Sequence, residues 1–199
     1  MKKILIATTN SSKLEFFQRL LSFFDIDLIS LRDLNIMDGI EEDGKDELEN
    51  ALIKARHYYN KSGLVTLADD AGMYLDALDG QPGVKFRRWN GELPGNVSDE
   101  EWIKYLFKKM KDVKNGNRTG QFRIGRAIVT VHDEYIFQKN VEFFMSDEPV
   151  WEYYKPGWPM NVFRMESKLN KPWAILTDQE RIEYESDFID WFKNINKKI

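Results

Sequence analysis

The sequence contains no cysteine, only two histidines and no long apolar run. The lack of cysteine excludes disulfides, thiolate catalysis and zinc–thiolate sites, and it agrees with a reducing compartment. His57 and His132 lie far apart and lack metal-ligand spacing, so we assign them ordinary solvent or core roles. The apolar start, residues 4–7, is too short for a signal peptide, and no segment reaches the roughly 20 apolar residues of a membrane span. We therefore expect a cytoplasmic protein without a membrane partner.

Basic residues do not outnumber acidic ones, since 29 Lys and Arg face 33 Asp and Glu for a net charge of −4. This balance argues against long nucleic acid as a partner, although a local basic cluster could still bind a small anion. The hydrophobic content of 42% suffices for one sizeable core. Because the sequence shows no internal repeat and no linker, we predict a single domain over residues 1–199.

Apolar periodicity predicts alternating strands and helices in the first half. Residues 4–7 predict a buried strand, and Ser12 with Glu15 predicts a capping box that opens the next helix. A second helix is predicted over residues 46–61, followed by a buried strand over residues 64–68. This order of elements is typical of an α/β protein.

The second half is richer in strand-forming residues. Ser98 and Glu101 predict another capped helix. Residues 122–131 and 135–145 predict two long paired strands, and residues 178–195 predict a last helix. Together the two halves predict a mixed α/β (α+β) sheet with flanking helices.

A polar turn connects the first predicted strand to the first helix. It consists of Thr8, Thr9, Asn10, Ser11, Ser12 and Lys13. Such a turn directs backbone N–H groups and the positive end of the helix toward one point, where Lys13 adds a full charge, so it favours phosphate binding. The alternative is an ordinary strand-to-helix connection, because Ser, Thr and Asn are the usual capping residues.

An acidic loop, residues 41–44, precedes the second predicted helix. Glu47, Asn50 and Lys54 recur there at helical spacing, so they share one face. Carboxylates beside a lysine suit a metal–triphosphate complex, because Mg²⁺ prefers oxygen ligands and phosphates need cations. The alternative is a solvated helix flank.

Two adjacent carboxylates, Asp69 and Asp70, follow the strand predicted over residues 64–68. Ligands bind at the carboxyl ends of strands in α/β sheets, and paired acids there can hold Mg²⁺ and accept a proton from water. Two like charges beside an apolar strand are costly without a neutralising cation. We therefore favour a functional site over a simple strand-ending turn.

A Pro-Gly segment, residues 80–89, delivers Arg87 and Arg88 beside Trp89. Arginine binds phosphate through two parallel hydrogen bonds, and aromatic rings stack on bases, so the combination suits a nucleotide. A surface basic patch beside a core aromatic residue is the alternative.

In this order and spacing, the four segments resemble the inosine triphosphate pyrophosphatase family, also called the non-canonical purine NTP pyrophosphatases. The matching strings are ILIATTNSSKLEFFQRLL, EEDGKDELENALIKAR, LADDAGMYLDAL and GQPGVKFRRWNGE. The resemblance implies an elongated, two-lobed mixed sheet with a central cleft, usually as a homodimer. It also implies Mg²⁺-dependent hydrolysis of a nucleoside triphosphate to the monophosphate and pyrophosphate.

The resemblance also implies roles for individual residues. It assigns the triphosphate to the segment from Thr8 to Lys13 and to Lys54. It assigns Mg²⁺ to Glu42, Asp69 and Asp70, with Asp70 activating the attacking water and Lys13 and Lys54 completing the catalytic set. Three further positions match substrate-binding positions of the family, namely Ala71, Arg88 and Arg181.

The second half departs from the family pattern. Residues 153–161 replace a Gly-Phe-Gly-Tyr-Asp segment, residues 177–186 lack the Ser-His-Arg sequence, and Ala71 replaces a serine. Because the missing groups would hydrogen-bond the purine edge, we expect a base preference altered from that of the family. The nearby aromatic residues either stack on a different base or belong to the core or a dimer contact: Tyr153, Tyr154, Trp158 and Trp173.

The leading prediction is an active pyrophosphatase that acts on non-canonical or modified nucleotides. An alternative is a catalytically inactive nucleotide-binding or sensor protein of the same fold, suggested by the lost base-reading residues. A third hypothesis is the related septum-inhibitor type of nucleotide pyrophosphatase, which preferential hydrolysis of pyrimidine triphosphates would favour.

Overall fold

The computed structural model describes residues 2–114 and 116–199. The strands are β1 (Lys2–Ile6), β2 (Ile26–Ser30), β3 (Val65–Leu75), β4 (Pro82–Gly83), β5 (Thr119–Val129), β6 (Glu134–Met145), β7 (Arg164–Glu166) and β8 (Lys171–Pro172). The helices are α1 (Ser11–Leu20), α2 (Glu47–Ser62), α3 (Asp99–Lys109), α4 (Asp178–Tyr184) and α5 (Ser186–Asn196).

The strands form one mixed sheet in the order β2-β1-β3-β5-β6-β7-β8, with β4 paired to β3. Strand β1 runs parallel to β2 and β3, whereas the β3–β4, β6–β7 and β7–β8 pairs are antiparallel. The predicted mixed α/β class is confirmed. The predicted pairing of two long strands is confirmed as well, since β5 and β6 are neighbours.

The chain divides into two compact units. The first comprises the chain up to Asp70 together with Ile124–Lys139 and Asp178–Ile199. The second comprises Ala71–Arg123 and Asn140–Thr177. Strands β3, β5 and β6 therefore contribute residues to both units. The single domain over residues 1–199 stays a prediction.

In the first unit, strand alternation sends successive side chains to two separate cores. Ile4 and Ile6 of β1 pack in a cluster with residues of α1 and α5, whereas Leu5 packs in a cluster with residues of α2. The α1 and α5 contacts in the first cluster come from Phe17, Leu20, Phe188, Phe192 and Ile195. The α2 contacts in the second come from Ala51, Ala55 and Tyr58. Helices α1 and α5 therefore cover one face of the sheet, and α2 covers the other.

Helix α2 is defined at both ends by local interactions. The Asp46 side chain caps its N-terminus by accepting a hydrogen bond from the Glu49 N–H, and Gly63 ends it with a φ of 68°, which favours glycine. Strand β5 also approaches the helix closely, because a Cβ added to Gly125 would lie 2.5 Å from the backbone nitrogen of Leu48. These constraints fix the helix that carries Asn50 and Lys54, and its predicted location is confirmed.

The predicted cap of the first helix is wrong. Helix α1 begins at Ser11, and its N-cap is Asn10, whose side-chain oxygen accepts from the N–H groups of Ser12 (2.9 Å) and Lys13 (3.3 Å). Asparagine caps helices as well as serine does, so the earlier residue of this polar turn becomes the cap. Ser12 and Glu15 are therefore the second and fifth residues of the helix.

The prediction of one last helix over residues 178–195 is also wrong, because the chain breaks into α4 and α5 at Glu185. Glu185 is 2% exposed, although glutamate is seldom buried without a charged partner. The buried carboxylate bonds to an arginine of β5, as described below, and this long-range contact is invisible in the local sequence pattern.

The second unit contains the predicted capping box at the start of α3. Ser98 and Glu101 make the reciprocal side-chain to backbone hydrogen bonds, and Trp102 and Leu106 are fully buried. Trp173 lies in the core as well, at 3% exposure, which favours the core alternative for that residue. None of the helices within residues 2–114 and 116–199 has the length and apolar character that a membrane crossing requires.

Candidate active site

The acidic doublet lies inside β3 and not after it, so the predicted end of that strand at residue 68 is wrong. Strand β3 continues to Leu75 because it gains partners beyond the doublet, with Met73 opposite Gly83 of β4. Its parallel register with β1 reaches only Leu67, so Asp69 and Asp70 extend past the carboxyl end of β1. The predicted position after the carboxyl end of its own strand is therefore wrong, and the doublet lies in the middle of β3.

Because the doublet is part of a strand, its two side chains leave on opposite faces. Leu67 packs in the cluster with α1 and α5, and Ala68 packs in the cluster with α2. Continued alternation puts Asp69 on the side of α1 and Asp70 on the side of α2, and the contacts of both carboxylates agree with this.

Asp69 accepts hydrogen bonds from two cations. Lys13 Nζ lies 2.7 Å from Oδ2, and Arg126 Nε lies 3.1 Å from Oδ1. Burial alone would raise the pKa of Asp69, but the charges of Lys13 and Arg126 outweigh it and lower the pKa below its ordinary value. Asp69 is therefore an ionised carboxylate with both oxygens engaged.

The Lys13 ammonium is correspondingly held in its charged form. Burial would lower its pKa, but the charges of Asp69 and Asp70, and to a smaller extent Glu42, raise the pKa above the ordinary value. Lys13 and Lys54 also share a contact residue, since Lys13 donates to the Asp69 carboxylate and Lys54 donates to the Asp69 backbone oxygen. Lys13 thus belongs to one charged site together with the acids on the α2 side.

Asp70 is oriented by two residues of α2. Asn50 Nδ2 donates to Asp70 Oδ2 at 3.1 Å, and Lys54 Nζ donates to Oδ1 at 3.0 Å. The same ammonium donates to the backbone oxygen of Asp69 at 3.0 Å and lies 3.4 Å from Glu42 Oε2. Lys54 therefore links two carboxylates and the strand backbone.

The polar face predicted for α2 points inward. Glu47, Asn50 and Lys54 are all buried, which excludes the alternative of a solvated flank. The side-chain oxygen of Asn50 accepts from the Gly44 N–H at 2.8 Å, and a Cβ at Gly44 would lie 2.6 Å from that oxygen. The acidic loop is thus fastened to the residue that orients Asp70.

The polar turn before α1 satisfies several of its own amides. The Thr8 N–H donates to the Ile6 carbonyl, and the Asn10 N–H donates to the Thr8 hydroxyl at 3.1 Å. The backbone N–H groups of Ser12 and Lys13 donate to the side-chain oxygen of Asn10. Thr9 and Ser11 are exposed. A triphosphate contact by this segment stays a prediction.

The remaining predicted substrate-binding residues lie in different parts of the chain. Ala71 follows the doublet in β3 and belongs, with the exposed Arg88, to the second unit. Arg181 lies in α4 of the first unit, where burial lowers its pKa. Their roles stay predictions.

Arg126 and Glu185 were not predicted as site residues. Arg126 Nη1 donates to Glu185 Oε2 at 2.7 Å, while its Nε donates to Asp69 Oδ1. These partners are 59 and 57 residues away in sequence, beyond the reach of local patterns. One signal was available, since an arginine in an apolar strand such as residues 126–129 needs a buried acid as partner.

Within the described part of the chain, no group of three acidic, imidazole or thiol side chains could hold a metal ion by itself. Glu42 and Asp70 do share the single ammonium of Lys54. Counted over the site, three cations face four carboxylates, because Glu42 and Glu185 join the doublet. The α2 side therefore carries an excess negative charge that a cation would neutralise, with oxygen donors of the kind that Mg²⁺ prefers.

A model of the Ham1 family matches residues 4–185. Among curated proteins, a dITP/XTP pyrophosphatase of Thermoanaerobacter pseudethanolicus is 33% identical over 194 residues, which cover 96% of this chain and 95% of that protein. One of Geobacter sulfurreducens is 37% identical over 150 residues, covering 75% and 74%. One of Shigella flexneri is 38% identical over 122 residues, covering 61% of this chain and 60% of that protein.

The fold comparison points to the same group of proteins. A HAM1 protein from Coxiella burnetii superimposes over the whole of both chains with a TM-score of 0.78 at 28% identity. The Staphylococcus aureus Ham1 protein gives 0.70 at 26% identity, over 90% of this chain and 89% of that one. The resemblance found in the sequence is thereby confirmed.

Proposed function

Because the chain belongs to the Ham1 family, we propose that it hydrolyses a nucleoside triphosphate to the nucleoside monophosphate and pyrophosphate. The observation that carries the proposal is the charged site of the first unit, in which Lys13, Lys54 and Asp70 come together although they are distant in sequence. The relatives named above support the same reaction class, since they are dITP/XTP pyrophosphatases.

The lysines supply the phosphate-binding charge in this proposal. A lysine ammonium carries three donors, and Lys13 gives one of them to Asp69. The Lys13 side chain is 26% exposed, so its ammonium is accessible to an anion but is screened less than that of a fully exposed lysine. Lys54 adds a buried cation on the α2 side. Together they would bind oxygens of the triphosphate.

We propose Mg²⁺ as the cofactor, held by Glu42 and Asp70. In nucleotide enzymes Mg²⁺ is bound through one or two carboxylates and the substrate phosphates, which agrees with a pair of acids that share one ammonium. Asp69, also predicted as a ligand, is paired with two cations, whereas Asp70 shares the one ammonium of Lys54 with Glu42. Because the charge of Asp69 is already neutralised, we assign it to holding Lys13. When bound, the metal would withdraw charge from the phosphate oxygens.

Asp70 is the residue to which we assign activation of water. Its carboxylate is held by Asn50 and Lys54, so its orientation is set before substrate arrives. As the water oxygen bonds to phosphorus, its proton passes to Asp70 and the bond between the α- and β-phosphates breaks. Pyrophosphate then leaves with the charge that the cations neutralise.

The substrate class is proposed to be non-canonical or modified nucleotides, with a base preference altered from the family. The support is the departure of residues 153–161 and 177–186 from the family's base-reading sequences. Pyrophosphate release should be measured with ITP, dITP, XTP, the four standard ribonucleotides and modified nucleotides, with and without Mg²⁺. We expect release that needs Mg²⁺ and is fastest for a non-standard base.

The same panel distinguishes the alternatives. Tight binding without pyrophosphate release would favour the inactive nucleotide-binding protein, and pyrimidine triphosphates as best substrates would favour the septum-inhibitor type. Release of single phosphate ions would contradict cleavage between the α- and β-phosphates. A homodimer and a cytoplasmic location are proposed alongside, to be checked by light scattering and by cell fractionation.

A further inference from the structure

Four side chains of alternating charge form a chain of contacts from α1 to α5, which we call the ion-pair chain: Lys13, Asp69, Arg126 and Glu185. The contacts measure 2.7 Å from Lys13 to Asp69, 3.1 Å from Asp69 to Arg126 and 2.7 Å from Arg126 to Glu185. Arg126 and Glu185 are each 2% exposed, whereas 26% of the Lys13 side chain is exposed. The ion-pair chain thus begins at the buried Glu185 and ends at Lys13, which solvent reaches.

Aromatic rings hold the Arg126 guanidinium in place. Its central carbon lies 4.1 Å from the ring centroid of Phe188, 5.5 Å from that of Phe17 and 5.8 Å from that of Phe137. These rings come from α5, α1 and β6, so the arginine is packed from three elements. Because the guanidinium is also planar and hydrogen-bonded on two edges, it has little freedom to move.

A stabilising role alone does not account for the ion-pair chain. Buried ion pairs gain little over apolar side chains of similar volume, because each charge loses its hydration. Phenylalanine rings surround Arg126, so apolar side chains in place of both Arg126 and Glu185 would suit the core. The geometry instead gives Arg126 a specific task, since it occupies the one oxygen of Asp69 that Lys13 does not use.

We propose that Arg126 is a positioning residue that fixes the Asp69 carboxylate and, through it, aims the Lys13 ammonium at the triphosphate, while Glu185 holds Arg126 from behind. The inference rests on the proposed function in that the triphosphate is the ligand of Lys13. It also explains a division of labour within the doublet. Asp69 is neutralised by the two cations of the ion-pair chain, whereas Asp70 has only a share of Lys54 and is the residue to which we assign the water.

The test uses calorimetry to measure binding of the α,β-methylene analogue of ITP in the presence of Mg²⁺. A methylene group replaces the oxygen between the α- and β-phosphates of this analogue, so the linkage resists hydrolysis. Arg126→Leu combined with Glu185→Leu removes the buried pair without leaving either charge alone, and Lys13 still pairs with Asp69. We expect binding about tenfold weaker than in the wild type, since a misplaced binding group loses affinity although it is present. The fold is checked by circular dichroism and thermal unfolding.

A double-mutant cycle distinguishes positioning from general stabilisation. If Arg126 acts through Lys13, the Leu pair should weaken binding by less than about twofold in a Lys13→Ala background, because the group it positions is gone. Glu185→Gln removes the charge but keeps an oxygen that can accept from Arg126, so it should weaken binding less than the Leu pair does. Arg56→Leu, which breaks an exposed pair with Glu134 in the same unit, is the matched control and should change nothing.

Unchanged binding in a folded Leu pair would overturn the inference, and so would an equal loss with and without Lys13. Should the Leu pair fail to fold, Arg126→Lys replaces it, because one ammonium cannot reproduce the two-edged contact, and wild-type binding in that variant is equally contradictory. Failure of the proposed function is seen separately. A wild-type protein that binds the analogue but releases no pyrophosphate from any nucleotide of the panel refutes the function and leaves the cycle interpretable. One that binds neither the analogue nor any triphosphate of the panel refutes both.

Discussion

Two aspartates, one in each unit, are equally buried but differ in what they hold. The side chain of Asp69 is 12% exposed and accepts from two cations, Lys13 and Arg126. The side chain of Asp99 is 14% exposed and pairs with Arg87, while it also accepts from the Tyr154 hydroxyl and the Gly157 N–H. Asp69 is thus surrounded by charged donors. Asp99 instead accepts mostly from neutral donors, and these contacts hold the segment with Tyr154 and Gly157 in place.

The sequence resemblance extends over both units. Two of the matching segments lie in the first unit, the segment with the acidic doublet is divided between the units after Asp70, and the Pro-Gly segment lies in the second unit. In the first unit, the carboxylates organise lysines that can also bind phosphate. In the second unit, Asp99 connects the Pro-Gly segment to residues 153–161, which depart from the family. The comparison teaches that the two carboxylates organise different kinds of donor. It agrees with the proposal that Lys13 and Lys54 bind the triphosphate, and it directs the search for an altered base preference to the contacts of Asp99 with residues 153–161.

The largest effect is expected from Asp70→Asn, which removes a proton acceptor at nearly constant volume. We expect kcat to fall about 10³-fold, within the range of general-base catalysis, while the circular dichroism spectrum stays unchanged. Pyrophosphate release under saturating ITP and Mg²⁺ measures it. Asp99→Asn makes the same substitution in the second unit and should change kcat far less. Equal losses in the two variants would remove the distinction between the units.

Gly125→Ala should be the most damaging change to stability, because its Cβ would lie 2.5 Å from the Leu48 nitrogen and push against α2. We expect the free energy of unfolding to fall by about 2 kcal/mol, as in overpacked cores. Gly39→Ala is the matched control, since a Cβ there meets no atom within 4 Å. Urea unfolding of both variants gives the comparison, and equal stabilities would show that β5 does not constrain the helix.

An effect of intermediate size is expected when acid protonates Asp69. Its pKa is lowered from 3.8 in the folded protein, so its contribution to stability is present above pH 3.8 and is lost as the pH falls through the folded value. We therefore expect the unfolding free energy to decline with acidification below that pH, and less steeply in Asp69→Asn. Urea unfolding at several acidic pH values measures both slopes. Parallel slopes would mean that Asp69 is not held by its cations.

The smallest effect on stability is expected from removing a helix cap, and each unit offers one cap for the comparison. Ser98→Ala removes the cap of α3 and Asp46→Ala removes the cap of α2, each at a cost of about 1 kcal/mol in unfolding free energy. Only the second helix carries Asn50 and Lys54, so only Asp46→Ala should also lower kcat. Thermal unfolding and pyrophosphate release check the pair. A lowered kcat in Ser98→Ala would extend the catalytic unit beyond the first.

Much of the site could be predicted because its information is local. Helical spacing puts Asn50 and Lys54 on one face, and Asp46 and Gly63 mark where that helix begins and ends. The acidic doublet was also identified, but its geometry was not. A local pattern cannot show that β3 continues through Asp69, because the strands that extend it lie elsewhere in the sequence.

The rest depends on long-range contacts. Arg126 and Glu185 become site residues only through folding, and the same contact accounts for the break between α4 and α5. The N-cap of α1 is Asn10 and not the predicted Ser12, because several residues of that turn are equally suitable as caps and the sequence does not rank them. A buried charge in an apolar strand remains the one sequence feature that would have pointed to Arg126.

The most direct test of the central claim is the rate of pyrophosphate release from ITP by the combined variant Lys13→Ala and Lys54→Ala. If these two ammonium groups bind the triphosphate, release should fall at least about 10³-fold relative to the wild type. The combination of Lys61→Ala and Lys104→Ala removes the same charge from the surface and should keep the wild-type rate. Wild-type release by the variant lacking Lys13 and Lys54 would contradict the account.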